Sequence, residues 1–150
     1  MIRTRLLALA LVAGLAAPAL GQQVEVTADS FTIDEPNRAA TFTGNVVVNR
    51  SGLTLWADRV VVSYGTGGVE DIQTFEASGT VRIRTEGQTA TGSRAVFDPR
   101  SQQLTMTGNV QVENAAGKVS GPQLVVDLRN NSSVFTGGSG GRVTGVFTPQ

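Results

Sequence analysis

The sequence predicts an all-β fold made of tandem repeats, and three observations carry this prediction. Two short sequence markers recur at fixed distances, apolar residues alternate with a period of two, and turn-forming residues separate short apolar runs. A period of two places apolar side chains on one face of a β-strand. Beyond Gly21, no segment shows the apolar period of an amphipathic helix.

The repeat unit is about 29 residues long, a period typical of repeat architectures. The first marker is a glycine followed by an alternating apolar pair, and the second is a small residue three positions before another apolar pair. The glycines are Gly44, Gly79, Gly108 and a degraded copy at Gly137, and the small residues are Ala28, Ala57, Gly92 and Gly121. The interval from glycine to the next small residue is the same in all three copies, from 44 to 57, 79 to 92 and 108 to 121. The interval from small residue to glycine is also constant, except that the second copy has six extra residues, which are placed in segment 65–71.

Turn residues divide the repeats into about sixteen short antiparallel strands of roughly 4 to 7 residues. The turns are expected at Asp34–Asn37, Asn49–Gly52, Thr85–Gly87, Asp98–Ser101, Asn114–Gly117 and Arg129–Ser132. After each small marker residue the apolar spacing is three rather than two, and an odd step changes the face unless the strand bulges. Either each strand bends there from one wall of a flattened sheet pair to the other, or a tight turn joins two separate strands.

The segment 1–21 has the layout of a secretory signal peptide. Arg3 and Arg5 precede an apolar run from Leu6 to Leu20, and small residues follow, with cleavage expected after Ala19 or Gly21. The run is shorter than the ~20 residues that span a bilayer as a helix, although an uncleaved anchor is an alternative. We therefore expect an exported protein whose single β domain covers residues 22–150.

The composition removes most catalytic chemistry. The 150 residues include no histidine and no cysteine, so Ser-His-Asp and Cys-His arrangements, thiolate metal sites and disulfides are excluded. The 12 basic residues balance 12 acidic ones, without the basic stripe of a nucleic-acid binder. Adjacent carboxylates, such as Asp34 and Glu35, lie at turns and are expected to face water. We predict no enzymatic activity, no cofactor, no metal and no nucleic-acid partner.

The alternating apolar residues are predicted to face inward and form a continuous apolar trough. The inward set, which is also the candidate lipid-binding set, is Phe31, Ile33, Phe42, Val46, Val48, Leu53, Leu55, Val60, Val62, Phe75, Val81, Ile83, Phe97, Leu104, Met106, Val110, Val112, Leu124 and Val126. Such rows either pack on each other and fill the interior, or leave a cleft for acyl chains, in which each buried CH₂ contributes about 0.8 kcal/mol. Arg82 and Arg84 alternate with this set and therefore face outward, towards solvent or an anionic lipid head group.

The two ends of the repeat array are expected to be unpaired edge strands. They correspond to Val24–Ile33 and Val134–Phe147. Uncovered edges pair with other chains. If the first strands of one copy meet the last strands of another, the contact is head-to-tail and propagates without closing.

The ordered markers resemble the OstA-like domain of the LptA family of lipopolysaccharide-transport bridge proteins, over the whole chain from residue 22 to about 147. The matching segments are Ala28–Asp29, Phe42–Val46, Leu55–Asp58, Ala77–Val81, Met106–Val110 and Ser120–Gly121. The third and fourth copies depart from the family's Ala-Asp pair, with Gly92–Ser93 and Gly121–Pro122 in its place.

This resemblance implies a twisted, open β-jellyroll with an apolar groove between two walls. It implies a periplasmic protein of the Gram-negative envelope that carries lipopolysaccharide from the inner to the outer membrane, with the lipid A acyl chains in the groove. The implied partners are further copies of the chain, stacked head-to-tail, and inner- and outer-membrane transport subunits with related domains. Two other classes stay open: a structural β-solenoid filament or adhesin module with a fully packed core, and a carbohydrate-active β-helix enzyme, which would need an acidic cluster on one wall.

Overall fold

The computed structural model describes residues 23–137 and 141–149, and it places them in one ten-stranded antiparallel sheet. The strands are β1 (Glu25–Thr27), β2 (Ser30–Asp34), β3 (Ala39–Arg50), β4 (Leu53–Tyr64), β5 (Ile72–Thr85), β6 (Gln88–Asp98), β7 (Gln103–Asn114), β8 (Gly117–Asp127), β9 (Ser132–Thr136) and β10 (Thr144–Phe147). A 3₁₀ turn at Gly68–Glu70 lies between β4 and β5, where the six extra residues were expected. Across the described ranges, no helix has the length and apolar character needed to cross a membrane. The expected signal peptide lies outside them.

The sheet is open, because its two sides do not pair with each other. The strand order is β1-β3-β4-β5-β6-β7-β8-β10, while β2 also pairs with β3 and β9 also pairs with β8. Each edge therefore consists of two short strands that lie one after the other along a single long neighbour. All pairings are antiparallel. This arrangement confirms the expected all-β, open jellyroll.

The expected number of about sixteen short strands is wrong. The described residues form ten strands, and the six central ones are 11 to 14 residues long. The reason is that each strand stays paired with its neighbours on both sides of its corner. A bulge bends a strand without ending it. Of the two alternatives for the odd apolar step, the structure has the bend.

The bends lie at the same level in successive strands. The pairing register shifts between Thr43 and Val46, Trp56 and Arg59, Ser78 and Val81, Thr91 and Arg94, and Thr107 and Val110. The structure explains the constant interval from marker glycine to small residue. This interval sets the pairing register of each hairpin, in which the second residue after a marker glycine lies opposite a marker small residue. Val46 lies opposite Ala57, Val81 opposite Gly92, and Val110 opposite Gly121.

The marker glycines form the corners through backbone conformations that favour glycine. Gly79 has φ +77° and the next residue, Thr80, has φ +44°, and the same pair of left-handed residues occurs at Gly44 and Gly108. A Cβ on Gly79 would lie 2.5 Å from Oδ2 of Asp58, and Asp29 covers Gly44 in the same way. A glycine is therefore required both for the left-handed backbone and for the close approach of the neighbouring side chain.

The corners divide the sheet into two facing walls. Wall A comprises residues 25–27, 46–57, 81–92, 110–121 and 144–147, and wall B comprises residues 30–43, 59–78, 94–107 and 123–136. The guanidinium carbon of Arg50 in wall A lies 5.7 Å from the ring centroid of Phe97 in wall B. In a flat sheet these residues would be roughly 30 Å apart, because about nine residues at ~3.3 Å each would separate them along the strands. The sheet is therefore folded back on itself at the corners.

Replacing Gly79 with alanine tests the corner, and Gly52→Ala is a matched control. Both glycines have left-handed φ angles, but a Cβ on Gly52 would have no neighbour within 4 Å. The left-handed backbone should cost each variant about 1–2 kcal/mol. Gly79→Ala should lose a further ~1–3 kcal/mol, because the new Cβ overlaps Asp58. Urea unfolding measures both free energies, and equal losses would show that the Asp58 contact does not constrain the corner.

Candidate functional site

The inner faces of the two walls carry apolar residues aligned in rows across the sheet. The central row of wall B runs from edge to edge through Phe31, Phe42, Val60, Ala77, Ala95, Met106, Leu124 and Phe135. The next row of wall B is Ile33, Ala40, Val62, Phe75, Phe97, Leu104, Val126 and Ser133. Wall A contributes Val26, Val48, Leu55, Ile83, Ala90, Val112, Val119 and Gly145. The inner rows of the two walls are therefore almost entirely apolar.

The floor of this space, along the line of corners, is fully packed. Val46, Val60 and Met106 are 1% exposed, and Val81 and Val110 are completely buried. The small marker residues make this packing possible: a Cβ on Gly92 would lie only 3.2 Å from the carbonyl oxygen of Thr107. The floor holds the two walls together, and of these five residues only Val60 and Met106 border a cavity.

The mouth of the space, away from the corners, is open and contains two contiguous cavities. The smaller, of about 70 Å³, lies towards the β1 and β2 edge, and the larger, of about 780 Å³, extends to β9. Both are lined by Arg50, Leu53, Ile83, Leu104 and Leu128, so they form one groove. The groove widens towards the β9 and β10 edge.

The size of the side chains explains the change in width. In wall B, the rings of Phe75 and Phe97 lie 6.2 Å apart and fill the narrow part. The wide part is instead bordered on wall A by smaller side chains, those of Ala90, Val112 and Val119. The groove is consequently neither empty nor packed along its whole length.

The structure brings most of the sequence-predicted site residues into this interior. Nine are buried: Val46, Val60, Val62, Val81, Ile83, Leu104, Met106, Val110 and Leu124. Eight are partly buried and pack against that core: Phe42, Val48, Leu53, Leu55, Phe75, Phe97, Val112 and Val126. Phe31 and Ile33, at 52% and 49% exposed, lie instead at the open edge of β2. Phe31, Ile33, Phe42, Val46, Val62, Val81 and Val110 border neither cavity.

Sequence reasoning missed several residues that line the groove. Apolar or small ones are Val24, Ala77, Ala90, Ala95, Val119, Leu128 and Phe135. The three alanines were missed because the predicted inward set included only larger apolar side chains. Their positions in the strand alternation nevertheless place them on the inner face. Arg50 was also missed, because it is charged. Alternate residues of a strand share one face, so Arg50 follows Val46 and Val48 on the inner side of β3. This alternation is the sequence signal that identifies it.

The outer faces of both walls carry the polar residues. Arg82 and Arg84 are exposed, as their alternation predicted, and Arg82 lies over the ring of Trp56 at 5.3 Å. Arg94 pairs with Glu76 at 2.6 Å, and the hydrogen bond and the negative charge of Glu76 raise the pKa of Arg94. A contact between Arg82 or Arg84 and an anionic head group stays a prediction.

The described residues offer little for acid–base or metal chemistry. Within residues 23–137 and 141–149, no group of three or more acidic residues could hold a metal ion, and no polar or charged residue is buried. The aspartates that repeat along the chain have local roles. The Asp98 carboxylate accepts a hydrogen bond from the backbone amide of Arg100, and Asp127 accepts one from Arg129. These carboxylates stabilise turns.

Comparisons with known proteins agree on one family. Residues 25–132 match the family described as LptA/(LptD N-terminal domain) LPS transport protein. The lipopolysaccharide export system protein LptA of Haemophilus influenzae is 26% identical over 137 residues, which are 87% of this chain and 80% of that protein. LptA of Escherichia coli strain K12 is 25% identical over 134 residues, which are 86% of this chain and 72% of that protein.

A solved structure supports the fold. The crystal structure of LptH, described as the LptA homologous periplasmic component of the conserved lipopolysaccharide transport device from Pseudomonas aeruginosa, superposes with a TM-score of 0.72. The match covers 85% of this chain and 96% of that chain at 18% sequence identity. At this identity the likeness concerns the fold alone.

An Ala90→Phe substitution should obstruct the wide part of the groove. Ala90 borders the larger cavity, whereas its neighbour Thr91 faces outward and provides the control Thr91→Phe. Excluding two methylene groups of an apolar fluorescent probe should weaken its binding about tenfold, because each contributes ~0.8 kcal/mol. Probe titration measures the effect. Equal affinities in the two variants would mean that the probe binds elsewhere.

Proposed function

The chain belongs to the LptA/LptD N-terminal domain family of lipopolysaccharide transport proteins, and from this premise we propose that it is a periplasmic bridge protein. It binds lipopolysaccharide with the lipid A acyl chains in the groove between wall A and wall B. It carries the lipid from the inner to the outer membrane and exchanges it with transport subunits that have related domains.

The observation that carries this proposal is the open apolar groove. Its larger cavity, of about 780 Å³, falls within the range of ligand pockets, ~300 to 1,000 Å³. Acyl chains need no polar chemistry for binding, since removing each CH₂ from water contributes about 0.8 kcal/mol. A site without buried polar or charged residues among those described suits such a ligand.

The other two function classes are less well supported. A filament or adhesin module with a fully packed core would leave no cavity of this size between the walls. A carbohydrate-active enzyme would need acidic residues on one wall, and the only acidic residue that borders either cavity in the described part of the chain is Glu86. The family is also one of transport proteins rather than enzymes.

Strand polarity supports head-to-tail stacking of copies. Every strand is antiparallel to its neighbour, so β2 runs in the same direction as β4, β6 and β8, while β9 runs in the opposite direction. If β9 of one copy lies beside β2 of another, the antiparallel alternation continues through the joint. Phe135 and Phe31 end the same inner row and would meet there.

The exposed apolar side chains at both edges also support stacking. Val134 is 56%, Val146 62% and Phe147 64% exposed on one edge, and Phe31 and Ile33 are exposed on the other. Edge strands with exposed apolar side chains favour pairing with another chain. Stacked copies would reduce the exposure of both sets.

Photocrosslinking tests the groove. A photoreactive amino acid at Val126, which borders the larger cavity, should form adducts with lipopolysaccharide in cells that produce it. At Val125, the adjacent valine on the outer face, it should not, because successive residues of a strand face opposite sides. Leu55 and Thr54 provide a second such pair in wall A. Adducts of equal yield on both faces, or none at Val126 and Leu55, would contradict lipid binding in the groove.

Cysteine crosslinking tests the joint, and the chain has no native cysteine to interfere. Continued rows would place Val134 of one copy opposite Thr32 of the next, both on the outer face. Oxidation of a Thr32→Cys/Val134→Cys variant should yield a ladder of covalent oligomers on a non-reducing gel. The matched control is Ile33→Cys/Val134→Cys, whose two positions lie on opposite faces of the joined sheet. Ladders of equal yield from both variants would rule out this register.

A further inference from the structure

Arg50 places a positive charge at the mouth of the groove, above its apolar inner rows. Strand alternation puts Val46, Val48 and Arg50 of β3 on the same inner face. Val46 lies in the packed floor, Val48 is partly buried above it, and Arg50 follows at the rim. The inner face of β3 therefore changes from apolar to cationic between the floor and the mouth.

The contact with Phe97 holds this charge over the groove. The guanidinium carbon of Arg50 lies 5.7 Å from the centre of the Phe97 ring, within the range of a cation–π interaction. Long basic side chains at a rim commonly extend into solvent, but this one spans from wall A to wall B. Arg50 borders both cavities, so a ligand in either part of the groove passes close to it.

We propose that Arg50 is a specificity-determining residue that binds the oxyanion head group of an amphiphile whose chains lie in the groove. The inference rests on the proposed function and deepens it. A chain directed towards the floor leaves its head group at the level of Arg50. A guanidinium is planar and weakly hydrated, and it donates paired hydrogen bonds to a phosphate or a carboxylate.

The rest of the rim agrees with a head group at this level. Ser51, Thr85, Gln88, Asn131 and Ser133 border the larger cavity and can hydrogen-bond polar groups, whereas Glu86, which borders the same cavity, opposes an anion there. Arg50 already has contacts within the protein, and an arriving oxyanion would compete with them. The groove therefore selects amphiphiles whose head group compensates for the contacts that Arg50 gives up.

The experiment compares three probes with the same chain: dodecyl phosphate, dodecanoate and dodecanol, each below the concentration at which it forms micelles. Displacement of an apolar fluorescent dye from the purified protein gives the three affinities. We expect both anions to bind roughly tenfold more tightly than the alcohol, as a charged hydrogen bond would provide. The anion with the larger preference identifies the head group as a phosphate or a carboxylate.

Substitutions assign the preference to Arg50. Arg50→Gln should weaken the binding of both anions about tenfold and so remove their preference, while the affinity for dodecanol should change by less than this. Arg50→Lys should keep part of the preference, because the charge remains while the paired donors are lost. The matched control is Arg82→Gln, since Arg82 also lies over an aromatic ring but on the outer face, and this variant should behave like the unsubstituted protein.

Three results would overturn the inference: no preference for anions, an equal loss for all three probes in Arg50→Gln, or the same loss of preference in Arg82→Gln. An equal loss for all probes would mean that Arg50 only packs between the walls. If dodecanol displaces the dye but the anions show no preference that depends on Arg50, this inference fails, while the apolar groove of the proposed function stands. If no probe displaces the dye, both fail.

Discussion

The left-handed glycine corner is the constraint on which the rest of the structure depends. A ten-stranded sheet without it would expose both faces to water, and its apolar rows would remain uncovered. At Gly44, Gly79 and Gly108 the backbone turns, so that the inner face of wall A comes to lie against the inner face of wall B. Because the corners lie at one level, the rows of the two walls remain aligned. A shift of one residue in any hairpin would turn its row outward.

The fold separates stability from binding along the depth of the groove. Near the corners the walls are close, and Val46, Val81 and Val110 fill the space between them. Further from the corners the walls diverge, and the side chains decide whether the space closes. Phe75 and Phe97 nearly close it on one side of the molecule, whereas Ala90 leaves it open on the other. The packed floor can therefore stabilise the fold while the mouth stays open for the proposed ligand.

Much of this architecture could be predicted from spacing alone. The constant interval between the markers encodes a hairpin register, and alternation identified the inner rows, because both depend only on local backbone geometry. The number of strands was wrong, because a bulge looks like a strand end in the sequence. Whether the groove was open could not be predicted, since it depends on the distance between the two walls, which the spacing along a strand does not fix. Arg50 was missed because a charged residue was not expected on an inner row.

The open edges and the open groove are consequences of the same geometry. The inner rows end where the sheet ends, at Phe31 on one side and at Phe135 on the other. A second copy that covers one edge therefore also continues the row, and with it the apolar lining between the walls. In the stacking that we propose, no separate interface is needed to join two grooves, because strand pairing would align the walls of successive copies through the same antiparallel register that aligns them within one. If copies stack in this way, covering an exposed edge and extending the apolar groove become a single event.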